Sequence, residues 1–458
     1  MSKRIWFWTI LITGIAFRLY GITNPLLDNH AWRQVDTASM AANFLEYGFY
    51  PPFPQLNYDG PPPNFVELEF PLVPLITALL WSLFGQLDLI ARGVVITFSA
   101  GTLLLIYLLG KEVYDRTGGL LAMAFFALNP LAVYYGRTVM PDSAMIFFMT
   151  ASVYFLVRWS QSERFASLGL SAVSFSLAVL AKLPALMIGI PLLVLALQKY
   201  KGRILKEKAF RFFILVGFLP PLIYYYLAHL NAGTRFVSGI IQHQLGLETH
   251  DYSYLWKKLG RMVTGPLIVT ALFAPFVRKA RVGNLFFWAW AGVLFVYTIT
   301  VGARIQLEYY LYPLVPLLCV LAGGTLGRFW GEAPGVVSGL LIFLICYNTT
   351  TEELRYYYRV EHQVLEQAKA VERHTNPGDL LILSDEPPMI FYYSHRKGWR
   401  LLPEKRNPEA LEVLRAQGGR VFVVLPDSKL DPALKSYLDR HYTFFPIGNF
   451  YDLDGANS

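Results

Sequence analysis

Eleven apolar runs, joined by short polar links, constrain the fold of this chain more than any other feature. They lie near residues 5–23, 88–110, 118–135, 141–158, 166–181, 183–198, 212–230, 263–277, 285–302, 308–323 and 334–348. A bilayer core is about 30 Å thick, and roughly 20 apolar residues in a helix cross it. Inside lipid every backbone polar group needs an internal partner, which leaves helices for segments of this length. Several runs are short, so soft ends and buried polar groups are expected there. Of 458 residues, 54% are hydrophobic and 16% charged, against about 25% charged in a soluble domain. The chain therefore reads as a polytopic α-helical membrane protein of about eleven spans.

Net charge is +8, but the basic residues sort between links, a topology signal that implies no nucleic-acid partner. Lys199, Lys201, Arg203, Lys206, Lys208 and Arg211 form the most basic link, and Arg278, Lys279 and Arg281 the next. The tendency of basic loops to stay inside puts both in the cytoplasm. Met1 to Arg4 before Ile5 to Leu19 resembles a signal peptide without a small-residue cleavage site, hence a retained anchor with its amino end inside. Leu72 to Gly85 conflicts with that count if it spans. It is short and carries Pro74, so it reads as an interfacial or re-entrant helix. Loops 24–87, 136–140, 231–262 and 303–307, with Lys182, then share the outer face. Cys319 and Cys346 lie in apolar runs and read as small buried hydrophobes.

Residues 1–355 form the membrane module. Its first outer loop holds Trp32, Val35, Ala38, Ala42 and Leu45 at helical spacing, which predicts an amphipathic surface helix. Residues 356–458 are more charged and alternate as helix 360–374, strand 379–384, helix 387–395, strand 399–402, helix 407–417, strand 420–425, helix 431–441 and strand 443–447. Such alternation predicts a small α/β domain, placed outside by the topology and covering the module or docking an acceptor.

Ionisable groups near bilayer depth are costly and mark substrate or ion paths. Asp28, His30, Arg33 and Asp36 crowd one short stretch after the first run. Asp28 is the candidate general base for an acceptor hydroxyl or amine; as a favoured capping residue it also suits the start of the following helix. Arg33 and Asp36, three apart, are placed to pair on one helix face. Arg137 and Lys182, with Arg92 and Arg304 behind them, are the candidate phosphate ligands. Asp142, after Pro141, complements the dipole of the next helix. Glu67 and Glu69 with His243 and His250 are the only set that leaves a divalent metal open, and their spacing is not that of a closed zinc site. Tyr224 to Tyr226 and Glu308-Tyr309-Tyr310 read as interfacial anchors.

Asp-x-His-x-Trp-Arg-Gln-x-Asp at 28–36, Gly-Arg-x-x-x-Pro-Asp at 136–142 and Leu-Tyr-Pro-Leu-Val-Pro-Leu at 311–317 resemble the GT-C class of membrane glycosyltransferases. The likeness is to the family 39-like branch of protein O-mannosyltransferases and lipid A aminoarabinose transferases. It implies a GT-C-like fold in the plasma membrane and no obligatory cofactor. It also implies a polyprenyl-phosphate-linked sugar donor, a lipid, glycan or protein acceptor, and inverting transfer on the extracytoplasmic face. Mapped onto that family, Asp28 is the base, Glu69 keeps the acid before the interfacial helix but lacks the lysine some relatives place beside it, Lys182 looks like a lysine after the matching span, and His243 falls where some relatives carry a histidine. The rival reading is a transporter or flippase for a lipid-linked sugar, although no internal repeat is visible. A lipid-processing phosphatase or ligase would need phosphate ligands too.

Overall fold

The computed structural model describes residues 3–232, 234–235, 252–277, 279–402, 406–426 and 428–456. Every one of the eleven apolar runs falls in helix. Seven helical stretches among the described residues are long and apolar enough to cross a membrane: Asp88–Val113, Asp142–Ser162, Leu183–Lys206, Lys208–Asn231, Tyr252–Val277, Asn284–Ile305 and Ala333–His374. Shorter apolar helices are Leu72–Phe84, Arg116–Leu128, Phe165–Ala181 and Leu314–Phe329, and Lys3–Leu19 opens the chain.

Several runs are divided between two or more helical pieces, and one division matters for the site. The run near 118–135 breaks at Asn129-Pro130, where Asn129 is extended and its side chain caps the short helix Pro130–Tyr134 by accepting from Ala132 N–H. Proline forces that conformation on the residue before it. The break turns the chain into the polar stretch that carries Arg137.

Three helices meet backbone to backbone through glycines. A Cβ on Gly119 would stand 2.5 Å from the carbonyl oxygen of Tyr107, and one on Gly323 would stand 2.4 Å from that of Gly118. Small residues allow this approach, and in lipid such close packing replaces the missing hydrophobic drive. Helices Asp88–Val113, Arg116–Leu128 and Leu314–Phe329 are locked together in this way.

The helix expected after the first run forms, as Ala31–Tyr47, but it does not lie along a surface. Most of it is buried, including Gln34, Asp36 and Asn43, whereas Leu45, assigned to the apolar face, is exposed. It is clasped on two sides. Val35, Ala38 and Phe44 pack on Ala78 and Trp81 of Leu72–Phe84. Ala31 and Met40 join a core with Val364, Leu381, Phe391 and Val423 of the carboxyl-terminal domain.

That domain holds a five-stranded sheet in the order Lys397–Arg400, Leu380–Leu383, Gly419–Val423, Phe450–Ala456, Tyr442–Phe445. The first three strands are parallel and the last two antiparallel. Helices His362–His374, Met389–Tyr393, Pro408–Ala416 and Pro432–His441 fall where the alternation put them. Strand Phe450–Ala456 is additional, and it sits inside the sheet. Gly398 N–H donates to the Asn57 carbonyl, and Gly60 N–H donates to that of Gly398. Tyr392 and Tyr393 both donate to Asp88. The loop after the first helix and the carboxyl-terminal domain are therefore one packed body seated on the helices.

Candidate active site

Two polar clusters meet at the end of the bundle that faces this body. The first is dry. Asp28 accepts at Oδ2 from Arg137 (2.8 Å) and Arg92 (3.2 Å), and at Oδ1 from Gln34 (2.5 Å). Arg92 also donates to Gln34 Oε1 and to the carbonyls of Asn24 and Pro25, and Arg137 donates to that of Gly21. The side chains of Asp28, Arg92 and Arg137 have no exposed surface.

Asp28 is thus held on both of its oxygens by three donors. It does not cap the following helix, contrary to expectation: the cap position is His30, in the left-handed region (φ 59°), with no side-chain cap bond. Arg92 and Arg137 both pair with Asp28 and donate to loop carbonyls, while Arg137 Nε is buried without a hydrogen-bond partner. A buried pair of this kind tolerates no missing partner, so its evident work is to fix residues 21–34 against the helices.

The second cluster is partly open. Arg33 reaches Glu69 Oε1 at 3.4 Å, with side chains 28% and 15% exposed. The expected Arg33–Asp36 pair is not formed, and Asp36 instead accepts from the Tyr58 hydroxyl at 3.1 Å. Lys182, extended between Ala181 and Leu183, donates to both oxygens of Asp142 (2.8 and 3.0 Å). Its Nζ lies 4.3 Å from the ring centre of Tyr309 and 5.0 Å from that of Tyr310. Those tyrosines are therefore walls of the cluster, not interfacial anchors. Tyr224 and Tyr225 also turn inward and donate to the carbonyls of Leu68, Glu69, Val179 and Leu180, which positions the segments carrying Glu69 and Lys182.

His30 joins this cluster through the Tyr309 ring, 5.2 Å away and edge-on. Its Nε2 is 3.3 Å from Glu308 Oε2. The other oxygen of Glu308 accepts from Lys258 and from the Tyr357 hydroxyl. Burial pushes the Glu308 carboxyl up, but the bonds from His30 and Lys258 outweigh it and hold it at about 2. Burial alone opposes the Arg33 charge; Glu69 and the neighbouring tyrosines more than offset this and raise its pKa.

Glu308, Lys258 and Tyr357 were not singled out as site residues, although an acid just past an apolar run was a usable signal. Glu67 pairs with His229 at 2.8 Å, apart from Glu69. Among the described residues no three His, Cys, Asp or Glu side chains are grouped to hold a metal. His243 and His250 lie outside the described residues.

Known structures share this architecture. ArnT from Cupriavidus metallidurans in the apo state superposes with a TM-score of 0.72 at 15% identity, over 98% of each chain. The same protein bound to undecaprenyl phosphate gives 0.70 at 13%, over 93% of this chain and 94% of that one. The fold is that of the GT-C glycosyltransferases. Archaeal oligosaccharyltransferase AglB from Archaeoglobus fulgidus, in complex with an inhibitory peptide and a dolichol-phosphate, shares the GT-C fold at a TM-score of 0.63 and 12% identity, over all of this chain and 74% of that one. The family model of dolichyl-phosphate-mannose-protein mannosyltransferase matches residues 63–224, which include Glu69, Asp142 and Lys182. No curated protein sequence matches the chain.

Proposed function

We propose that this protein transfers a sugar from a polyprenyl-phosphate donor to a lipid, glycan or protein acceptor on the extracytoplasmic face of the plasma membrane, with inversion. The observation that carries the reading is the cluster in which the partly exposed Arg33 faces Glu69 and the buried Lys182, paired with Asp142, stands beside Tyr309 and Tyr310, in a GT-C fold. Arg33 has five donors and a single long contact to a carboxylate, so it is the guanidinium best placed for a phosphate. Lys182 adds charge next to it.

An apolar groove of about 350 Å³ opens between the helices, running from Leu186 and Phe218 towards Trp159, Tyr200 and Phe210 at the end of these helices away from Lys182. A polyprenyl tail fits this chemistry. In direct displacement the acceptor oxygen bonds to the anomeric carbon as the carbon–phosphate oxygen bond breaks. The released phosphate then carries charge that Arg33 and Lys182 stabilise.

The rival transporter reading predicts ionisable groups near the midplane, whereas here they gather at one end. Purified protein incubated with radiolabelled undecaprenyl-phosphate sugars and total bacterial membrane vesicles should release undecaprenyl phosphate and label an acceptor. Arg33→Ala and Lys182→Met should each lower turnover by about 10²-fold. Movement of intact labelled lipid between leaflets, with no release of lipid phosphate, would favour the flippase instead.

A further inference from the structure

We infer that a second groove, between helices Lys3–Leu19 and Ala333–Tyr357, holds the acceptor, and that this acceptor is a saccharide carried on a polyprenyl diphosphate; the inference rests on the transferase reading above. The two helices run in the same direction. Lys3 and Trp6 share a cavity with Leu340 and Phe343, while Ala16 and Tyr20 share one with Leu354 and Tyr358. Ring pairs bridge the helices, Phe17 to Tyr347 at 6.1 Å and Tyr20 to Tyr358 at 4.9 Å. The cavity at the Tyr358 end has about 790 Å³ and the one at the Lys3 end about 290 Å³, and Thr13 borders both. Together they follow one stripe of the first helix, Trp6, Ile10, Thr13, Phe17 and Tyr20, at spacings of three and four.

The length of the groove points to its occupant. A helix of 17 residues measures about 26 Å, close to the bilayer core of about 30 Å. The acyl chains of a phospholipid reach about half that core, to the midplane. A slot that runs the length of the helix suits one chain that crosses the midplane, as a polyprenyl chain does. The stretch Ala333–His374 is also the least buried of the seven long apolar stretches, which leaves its flank to lipid.

The polar end suits an anionic head. Arg355 lines it, and Arg359 follows one residue after Tyr358. Both are exposed, and Arg359 lies 5.1 Å from the Tyr356 ring centre. Among the described residues neither has a carboxylate partner, whereas Arg33, Arg137 and Arg261 each have one. Glu352 shares the rim and is unpaired too, so the guanidinium groups outnumber it by one. Two free guanidinium groups match two phosphates. The Tyr358 hydroxyl, on a ring that lines this end, is buried without a hydrogen-bond partner. The Arg137 guanidinium stands 4.7 Å from the centre of the same ring, and Asn29 N–H donates to the Tyr357 carbonyl at 3.1 Å. The mouth of the groove therefore abuts the segment that carries Asp28, His30 and Arg33, where an acceptor saccharide has to arrive.

In the step, a hydroxyl oxygen of that saccharide bonds to the anomeric carbon of the donor while the electron pair of the breaking bond leaves on the donor phosphate. The hydroxyl proton ends on water. The acceptor keeps its own diphosphate, so one polyprenyl phosphate is released per sugar moved and the product stays linked to lipid.

The test uses the full chain in detergent and a polyprenyl diphosphate with a diazirine in its chain. Photolabelling should map to residues 6–20 and 340–358, be competed by undecaprenyl diphosphate, and survive an excess of dioleoyl phosphatidylglycerol or phosphatidylethanolamine. Ala16→Trp, which fills the groove, and the double variant Arg355→Gln, Arg359→Gln should each cut that labelling about tenfold with an unchanged melting temperature. With bacterial membrane vesicles as the acceptor source, the radiolabelled product should extract into chloroform–methanol and be freed from its lipid by mild acid, and Ala16→Trp should lose it by the same factor. Labelling removed by either phospholipid would make the groove a phospholipid site, and a radiolabelled product confined to protein would show that the acceptor is no lipid; each result overturns the inference and leaves the transferase standing. Native protein that releases undecaprenyl phosphate from no donor overturns both.

Discussion

Arg137 donates to Asp28 at 2.8 Å across 109 positions of sequence, and neither side chain has exposed surface. The carboxylate that stands out in the first outer loop is thus the counter-charge for two buried guanidinium groups. Exchanging it for its neutral isostere leaves both without compensation. Asp28→Asn should therefore lose about 3–5 kcal/mol of stability, seen as a lower melting temperature in detergent. A triple Asp28→Leu, Arg92→Met, Arg137→Met protein should recover much of that loss, because removing the whole buried set is far less costly than breaking it. An Asp28→Asn protein that melts with the native one but is inactive would restore Asp28 as a base.

Arg400 joins the carboxyl-terminal domain to the helix that carries Arg33. Its guanidinium lies 3.8 Å from the Tyr58 ring centre and 5.4 Å from that of Trp32, and it donates twice to Asp59. A forked, stacked guanidinium is poorly replaced by lysine. Arg400→Ala and Arg400→Lys should both loosen this contact, by about 1–3 kcal/mol, and speed limited proteolysis in residues 48–65. Wild-type cleavage rates in both would show that the domain is held by its apolar core alone.

What the sequence made legible follows from local physics. Hydropathy located the helices because lipid imposes one length and one polarity on each. Alternation located the outer strands and helices, apart from Phe450–Ala456, where Asp452, Asp454 and Gly455 dilute the pattern and pairing on both sides supplies what propensity lacks. Partner choice was illegible. Spacing put Arg33 with Asp36, three residues away, but the chain brings Glu69 to it from 36 residues off. Arg137 and Lys182 looked alike as cations at the membrane edge, and only the fold shows that one is paired with Asp28 and the other with Asp142, over the Tyr309 ring. Arg18 went unremarked inside the first run; it is fully buried and donates to Ser99 and to the Gly14 and Phe126 carbonyls.

Asp36 makes a prediction about pH. Burial raises its carboxyl to about 7, against the opposing pull of Arg33 and the Tyr58 hydroxyl. In the unfolded chain an aspartate titrates near 3.9. Between about pH 4 and pH 7 the native state therefore holds a proton that the unfolded state has lost. The contribution of Asp36 to stability is then greatest below about pH 4, falls as pH rises towards 7 and is flat above it. The span corresponds to roughly 4 kcal/mol. Asp36→Asn keeps an acceptor for Tyr58 and removes the titration. The melting temperatures of the native and Asp36→Asn proteins should thus be close at about pH 4, with the variant the more stable at pH 8. A difference independent of pH, or one that grows as the solution is acidified, would mean that Asp36 is already ionised in the folded protein.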